Sequence, residues 1–177
     1  MVTYEPMPSH LETERLLLRP WTGSDAEDLR ALHAERGKGT PAIEDIRVLV
    51  AKLAEPAGIA LLPIRRRLEG DFIGYCGLIT GRSTLEEPEI AYELFRRAHG
   101  RGYATEAAAA VLEAAAATGR NRLWATVGEG NAPSLRVLDK LGFERHHVST
   151  EDSGTVVWLT RSLPGGQFLP RGRQEHS

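Results

Sequence analysis

A glycine-containing turn that leads directly into an alanine-rich helix constrains the fold of this chain more than any other feature. The turn lies at residues 99–102 (His-Gly-Arg-Gly), and residues 103–118 behind it have high helix propensity and end before Gly119. Glycine has no Cβ and adopts backbone angles that other residues avoid, so a ligand can approach the main chain. The first turn of the helix adds unpaired N–H groups and the positive end of the helix dipole. The segment therefore predicts a site for a phosphate or diphosphate group at a helix N-terminus.

Two common nucleotide-binding fingerprints do not fit this chain. Residues 37–40 (Gly-Lys-Gly-Thr) place Gly39 where a Walker loop has Ser or Thr after its Lys, and the glycine required further upstream is missing. A dinucleotide-binding fold would need Gly or Ala in place of Thr105, and the next predicted strand, residues 123–127, has no acidic residue for a ribose. These departures argue against an ATP-dependent or NAD-dependent enzyme.

Length and net charge limit the number of domains and the kinds of partner that the chain can have. At 177 residues and 41% hydrophobic side chains, the chain is long enough for one buried core and short for two domains. Its net charge of −2 gives no general attraction to nucleic acid or to an anionic membrane, so we expect small-molecule or protein partners. The one cysteine cannot form an internal disulfide, and the N-terminus has no apolar signal segment. We therefore expect a cytoplasmic protein, either a monomer or a homodimer.

Hydrophobic periodicity predicts a single mixed α/β domain over residues 10–163. Residues 1–9 and 164–177 are rich in Pro, Gly and polar side chains, so we expect them to be flexible and to lie outside the core. The predicted strands are residues 16–18, 59–64, 72–79, 90–94, 123–127, 146–150 and 155–159. The predicted helices run from Ser24 or Asp25 to Glu35 and over residues 43–53, 103–118 and 133–141.

Two further segments join the glycine turn in a recognisable pattern. The strand Glu89-Ile90-Ala91-Tyr92-Glu93-Leu94 leads into the turn, and residues 131–143 (Asn-Ala-Pro-Ser-Leu-Arg-Val-Leu-Asp-Lys-Leu-Gly-Phe) form a second signature downstream. Together with the opening run at residues 12–21, this pattern resembles the GNAT family of acyl-CoA-dependent N-acetyltransferases. It is most similar to the branch that resembles acetyltransferases of ribosomal-protein N-termini. The resemblance spans residues 10–163.

The resemblance implies a GNAT-like fold, in which a central mixed, mostly antiparallel sheet is flanked by helices. It implies that acetyl-CoA is the co-substrate, with no metal, and that the acetyl group passes directly to a primary amine of a peptide N-terminus or a small molecule. A catalytically silent acyl-CoA-binding sensor or regulatory domain is the alternative, because His99 replaces a Gln or Arg of the family pattern and Leu138 replaces a Tyr. Arg101 or Arg97 is expected to supply the charge that His99 does not. The residues that the resemblance assigns to cofactor binding are Leu94, Phe95, Arg96, His99, Gly100, Arg101, Gly102, Tyr103, Ala104, Thr105, Asn131 and Ser134.

Direct transfer requires a group that removes a proton from the amine before or during its attack. Glu89, on the strand that leads into the turn, is the first candidate for this general base, and Glu93, on the same side of a regular strand, is the second. Bound water is a third candidate, and either carboxylate can instead be a solvated strand residue or a structural ion-pair partner. By the geometry of the family, the backbone N–H of Leu94 or Phe95 is expected to stabilise the oxyanion.

The thiolate that leaves the acetyl group must finally be protonated. Many GNAT enzymes place a Tyr for this step in the helix of the second signature, where this chain has Leu138. Ser134 lies one turn earlier and, by resemblance, near the thioester sulfur, so it is our candidate donor or relay. Its alternative role is to satisfy backbone groups at the start of the helix. Asn131, by resemblance a contact of the cofactor arm, can equally cap that helix.

Three other groups of residues are expected to lie outside the site. Residues 65–67 are three arginines beside a turn, a pattern typical of solvated surface. His146 and His147 would point to opposite faces of a strand, so we do not expect them to share a metal. Cys76 is expected to be a small buried filler rather than a nucleophile.

Overall fold

The structure, a computed structural model, describes residues 2–164. Within them, eight strands form one sheet and four helices pack against it. The strands are β1 (Leu11–Glu12), β2 (Leu16–Leu18), β3 (Leu61–Arg66), β4 (Phe72–Ile79), β5 (Glu89–Leu94), β6 (Arg122–Gly128), β7 (Glu144–Glu151) and β8 (Gly154–Ser162). The helices are α1 (Ala26–Ala34), α2 (Ile43–Leu53), α3 (Tyr103–Ala117) and α4 (Ala132–Lys140). Met1 and residues 165–177, which make up most of the expected C-terminal tail, lie outside the described residues.

The predicted helices and strands are all present, and their bounds shift by a few residues at most. Helix α2 begins and ends where its hydrophobic pattern predicted. Helix α3 is followed by Gly119 with φ +82°, the left-handed conformation that makes glycine a good C-terminal cap. Only β1 was not predicted, because a strand of two residues carries no measurable periodicity.

The sheet is mixed and mostly antiparallel, in the order β1-β2-β3-β4-β5-β6-β8-β7. The exception to antiparallel pairing is β5 with β6, which run parallel because α3 carries the chain across the sheet between them. The β7–β8 hairpin places β8 next to β6 and leaves β7 at the edge. This arrangement confirms the predicted fold class.

Hydrophobic side chains cover the two faces of the sheet with separate cores. On one face, the small residues of α3, such as Ala107 and Val111, are fully buried and allow the helix to lie close to β2–β5. On the other face, α1 and α2 bury Leu29, Leu32 and Ile46 against an aromatic cluster. The helices thus hold β4 from both sides, and β4 pairs along the whole of β5, the strand that carries the candidate site.

The segment before β1 is part of the core, in contrast to the expectation that residues 1–9 lie outside it. Met7 is only 7% exposed and packs into the larger core, and its N–H donates to the Gly58 carbonyl at 2.8 Å. Glu5 N–H donates to Thr118 O at 3.0 Å, at the end of α3. One methionine among polar residues carries no periodic signal, so composition alone placed this segment wrongly.

The three arginines at residues 65–67 are also better ordered than expected. Arg65 pairs with the fully buried Asp25 at 2.9 Å, and Asp25 also accepts the Thr22 N–H that precedes α1. Arg66 and Arg67 pair with Asp71 and Glu12, at 2.7 Å and 2.6 Å. The run is therefore a set of ion pairs that tie β3 to its neighbours rather than a solvated surface.

Candidate active site

The site begins where β5 and β6 part. The two strands pair only at Glu89 and Trp124, so the rest of β5 has β4 on one side and a gap on the other. Phe95 N–H donates to Ile73 O at 2.9 Å, toward β4. Because N–H groups alternate sides along a strand, the N–H of Leu94 points into the gap. The end of β5 therefore offers an unpaired strand edge.

A cleft of about 670 Å³ occupies this gap and runs between the start of α3 and the start of α4; we call it the main cleft. Two segments distant in the sequence meet there, the turn before α3 and the beginning of the second signature. The sequence-predicted residues that line it are Leu94, Arg96, His99, Gly100, Gly102, Tyr103, Ala104, Thr105, Asn131, Ser134 and Glu93. The structure thus brings most of the predicted cofactor-binding residues into one cavity.

The turn before α3 has the geometry of an anion site. Gly100 and Gly102 have φ values of +73° and +79°, which non-glycine residues rarely adopt, and a Cβ at Gly100 would meet no atom within 4 Å. Gly102 is the N-cap residue of α3, so the first N–H groups of a 15-residue helix open onto the main cleft. Backbone donors and the helix dipole together favour a diphosphate at this position.

Arg15 clamps this turn from the far side, a role that sequence reasoning missed. Its Nη1 donates to Arg101 O at 3.0 Å, and its guanidinium lies 4.3 Å from the centre of the Tyr103 ring. Its Nε pairs with Glu106 at 2.7 Å, and Glu106 also accepts the Thr13 hydroxyl at 2.5 Å. The only sequence signal was the opening run of the family resemblance, which assigned no role to this arginine.

Several predicted contacts face elsewhere. Phe95 does not line the main cleft, and its N–H is already bonded to β4, so it cannot serve as the expected oxyanion donor. Arg101 is exposed and does not line the main cleft either, and Arg97 is bound to Asp71 at 2.7 Å. His99 lines the main cleft, but its Nε2 lies 3.0 Å from the Leu94 carbonyl oxygen and caps the end of β5.

Glu89 lies at the closed end of the gap and is only 3% exposed. One carboxylate oxygen accepts the hydroxyl of Thr126 on β6, and the other accepts the backbone N–H of Arg82. The Arg82 guanidinium donates to the Thr126 hydroxyl oxygen at 2.9 Å and forms a two-pronged pair with Glu151, at 2.7 Å and 2.8 Å. Glu89 is therefore a buried carboxylate that is held by neutral donors.

A second cavity of about 380 Å³ lies beside Glu89 and shares two wall residues with the main cleft; we call it the inner cavity. Its walls include Glu89, Thr126, Leu138, Tyr92 and Ser134. Tyr92 and Ser134 also line the main cleft, so they stand at the junction of the two cavities. The pair therefore forms the boundary between the main cleft and the cavity beside Glu89.

Glu93 has a different environment, although it lies on the same side of β5 as Glu89. It forms an ion pair with Arg36, whose Nε lies 2.9 Å from Glu93 Oε1, and it accepts the Tyr75 hydroxyl at 2.8 Å. Burial raises the pKa of Glu93, but the hydrogen bonds from Arg36 and Tyr75 outweigh it and hold that pKa below its usual range. The lowered pKa makes Glu93 a weak proton acceptor.

Ser134 does not use its hydroxyl to cap α4. Asn131 is the N-cap, since its Oδ1 accepts the Ser134 N–H at 3.3 Å. The Ser134 Oγ instead lies 2.8 Å from the Tyr92 hydroxyl. Sequence reasoning missed Tyr92. Strict alternation along β5 nevertheless places it with Leu94 on the face of the sheet that α3 covers, opposite to Glu93.

Comparison with known proteins gives this arrangement a family. The family model of the acetyltransferase (GNAT) domain matches residues 15–144. A relative from Bacillus subtilis (strain 168), the uncharacterized N-acetyltransferase YoaA, is 32% identical over 150 residues, which are 78% of this chain and 84% of that protein. The chain belongs to the GNAT acetyltransferase family. It is accordingly an acetyl-CoA-dependent N-acetyltransferase, with acetyl-CoA as its co-substrate.

Solved structures share the fold of this GNAT domain. A GNAT-family acetyltransferase from Bordetella pertussis superimposes with a TM-score of 0.76 at 23% identity, over 87% of this chain and 99% of that one. A ribosomal-protein-S5-alanine acetyltransferase from Vibrio fischeri gives 0.75 at 16% identity, over 89% and 98%. These likenesses confirm the GNAT-like fold.

The remaining predicted features of the GNAT domain lie away from the two cavities. A bulge in β7 between Arg145 and His147 places His146 and His147 on the same face, with their Nδ1 atoms 2.8 Å apart, so the expectation of opposite faces is wrong. Across residues 2–164, no group of three or more His, Cys, Asp or Glu side chains could hold a metal. Cys76 is fully buried, as predicted, and burial raises the pKa of its thiol.

None of the helices found in residues 2–164 is both long enough and apolar enough to cross a membrane.

Proposed function

We propose that this enzyme binds acetyl-CoA in the main cleft and transfers the acetyl group at the junction with the inner cavity. The observation that carries the proposal is that the turn before α3, the unpaired end of β5 and the start of α4 line one continuous cleft. The diphosphate would bind the N–H groups at Gly102, Tyr103 and Ala104, and the amide-bearing arm would follow the edge at Leu94 as an added strand does.

Other residues of the main cleft complete the cofactor site in this proposal. Asn131 uses its Oδ1 to cap α4, so its amide nitrogen is the group that would contact the cofactor arm. The Leu94 N–H is the oxyanion donor, because the Phe95 N–H is already bonded. Arg96, His99, Gly100 and Thr105 line the walls.

The base in this proposal is Glu89. It is buried beside the junction, and its two direct donors are the Thr126 hydroxyl and the Arg82 backbone N–H, with the Arg82 guanidinium one hydroxyl further away. A carboxylate in that setting can accept a proton from an incoming amine, directly or through water. Glu93 is assigned the structural role instead, because its ion pair with Arg36 would have to break first.

The acceptor is a primary amine, and the class of the acceptor is the open part of the proposal. The sequence resemblance to acetyltransferases of ribosomal-protein N-termini and the similar fold of the Vibrio fischeri enzyme favour a peptide N-terminus. A small-molecule amine is the alternative acceptor, because a phosphinothricin acetyltransferase from Sinorhizobium meliloti has a similar fold. We place the reaction in the cytoplasm, where both kinds of amine and acetyl-CoA occur together.

The first experiment separates binding from transfer. Acetyl-CoA should raise the unfolding midpoint, because a ligand at about 100 times its Kd stabilises the native state by about 2.7 kcal/mol. Mass spectrometry with a library of peptides and small amines should then show an acetylated product and free CoA. Binding without any product would support the silent sensor, and the absence of binding would refute the assignment of the cleft.

A matched pair of glycine variants tests the position of the cleft. Gly102→Val should abolish most CoA binding, because a β-branched residue at φ +79° distorts the turn and crowds the phosphates. Gly119→Val is the control, since Gly119 has a similar φ of +82° and open surroundings but does not line the main cleft. Both should lose stability, and only the first should lose affinity; equal affinities would place the diphosphate elsewhere.

A further inference from the structure

The contact between Tyr92 and Ser134 joins two elements at the point where both cavities meet. Tyr92 comes from β5 and Ser134 from α4, and their hydroxyl oxygens lie 2.8 Å apart. Both side chains are partly buried, and both line the main cleft and the inner cavity. Leu138, one turn after Ser134, is fully buried and fills the wall beside them. The phenol next to Ser134 therefore comes from Tyr92 on β5 and not from position 138 of α4, which is a leucine.

The number of hydroxyl hydrogens limits how this pair can be arranged. Each hydroxyl has one hydrogen, and the Tyr92 hydrogen has two acceptors within reach, Ser134 Oγ at 2.8 Å and the Ser134 carbonyl oxygen at 3.3 Å. The shorter distance favours Oγ; with the hydrogen on the carbonyl oxygen, Ser134 would instead donate to the phenol oxygen. A phenol is the stronger donor and the weaker acceptor of the two, which favours donation by Tyr92. The Ser134 hydrogen is then free to point toward a third group at the junction of the cavities.

Burial helps Tyr92 to remain the donor. It raises the pKa of the phenol, and the hydrogen bond with Ser134 offsets only part of that rise. Tyr92 therefore keeps its hydrogen throughout the pH range in which acetyl transfer is measured. A hydroxyl that already accepts a hydrogen bond also becomes a better donor, since hydrogen bonds in a chain polarise one another.

We propose that Tyr92 is a positioning residue for acetyl transfer: by donating to Ser134 Oγ, it directs the Ser134 hydroxyl hydrogen onto the sulfur that leaves the acetyl group. The inference rests on the proposed function of this cleft and extends it to a residue of β5. Ser134 is the group that touches the sulfur, and Tyr92 acts through it.

The chemical step balances without ionising either hydroxyl. The amine nitrogen forms a bond to the carbonyl carbon of the thioester, and Glu89 takes one proton from that nitrogen. The carbon–sulfur bond breaks, and its electron pair goes to the sulfur, which accepts the Ser134 hydrogen bond as its charge develops. An alkyl thiol has a pKa of about 8.5, so the thiolate takes its proton from the solvent, and Glu89 returns its own proton to the solvent. The products are the amide and free CoA.

The bland alternative is that the Tyr92–Ser134 bond only ties α4 to β5. Single-turnover acetyl transfer at saturating acetyl-CoA distinguishes the two roles, alongside the affinity for acetyl-CoA and the unfolding midpoint. Tyr92→Phe should lower the transfer rate about tenfold and Ser134→Ala by at least as much, with CoA affinity nearly unchanged, because the lost interaction develops only as the sulfur leaves. Tyr75→Phe is the control, since it removes a partly buried phenol hydroxyl that lies outside both cavities.

The double variant decides whether Tyr92 acts through Ser134. If it does, adding Tyr92→Phe to Ser134→Ala should cause no further loss of transfer rate. If the two residues act independently, the rate losses of the single variants should multiply in the double variant. A Tyr92→Phe rate equal to that of the parent, or a loss matched by Tyr75→Phe, would overturn the inference and leave the proposed function intact. A parent enzyme that binds acetyl-CoA but transfers nothing to any amine would overturn the proposed function, and this inference with it.

Discussion

Glu89 and Glu93 are two carboxylates on the same side of one strand, but the groups that donate hydrogen bonds to them differ in charge. Glu89 is held directly by the hydroxyl of Thr126 and the backbone N–H of Arg82, which are both neutral donors. Glu93 is held by the guanidinium of Arg36 and the hydroxyl of Tyr75. Two residues of the same type on the same face of a strand can therefore be suited to different roles. The charge of the partner decides whether a carboxylate can take up a proton.

The difference follows from where each residue lies relative to the parting of β5 and β6. Glu89 is at the one paired position, where Thr126 of β6 and the loop before β5 close around it. Glu93 is further along, beside the end of α1, from which Arg36 reaches it. The same divergence that opens the main cleft thus separates the buried Glu89, our proposed base, from the ion pair of Glu93.

The largest expected effect tests the catalytic half of this comparison. Glu89→Gln keeps the shape of the side chain but removes its ability to accept a proton, so turnover should fall about a hundredfold while CoA affinity stays nearly unchanged. Glu93→Gln on the same strand is the matched variant and should retain most of the activity. Steady-state kinetics with both variants measures this; the reverse ranking would move the base to Glu93, and two active variants would leave the role to water.

A smaller effect is expected from the group that holds Glu89. Thr126→Val has nearly the same shape but removes the hydroxyl that donates to Glu89 Oε1, so the carboxylate should be less well positioned and turnover should fall about tenfold. Thr160→Val is the control, because Thr160 lies on the neighbouring strand and donates to Leu123 O at 3.1 Å, away from Glu89. Equal activities of the two variants would show that Thr126 does not position the base.

The structural half of the comparison predicts an effect on stability. Removing Arg36 or Glu93 should lower the free energy of unfolding, and a double-mutant cycle of Arg36→Ala and Glu93→Ala should give a coupling of about 1 kcal/mol or less. The Arg36 side chain is 42% exposed, so solvent screens much of the attraction. Urea unfolding at neutral pH measures this coupling; a zero coupling would mean that the pair contributes nothing to the fold.

The smallest effect is the pH dependence of the same pair. Because the pKa of Glu93 is lower in the folded protein than in the unfolded chain, the ion pair contributes its full stability above the unfolded pKa of about 4.3. That contribution is lost as the pH falls through the lower, folded pKa. The stability difference between the parent and Glu93→Gln should therefore be present at pH 7 and shrink toward pH 3. A stability difference that grew as the pH fell would contradict the lowered pKa of Glu93 in the folded protein.

Local patterns in the sequence predicted most of the fold and the outline of the site. The alanine-rich helix, its glycine cap and the apolar strands are short-range features, so their bounds are set by neighbouring residues. The glycine turn and the second signature likewise carried the resemblance that named the cofactor. The exceptions were features with no local period, such as β1 and the buried Met7.

What the sequence by itself determined was therefore the set of elements and the family, together with a set of candidate residues for acetyl-CoA binding. Only the tertiary structure decided which of these residues face one another. The choice between Glu89 and Glu93, the bond between Tyr92 and Ser134, and the loss of Phe95 as a donor all depend on contacts between elements distant in the chain. The physical reason is that the properties of a carboxylate or hydroxyl come from its partners, and those partners are brought together by the packing of strands and helices.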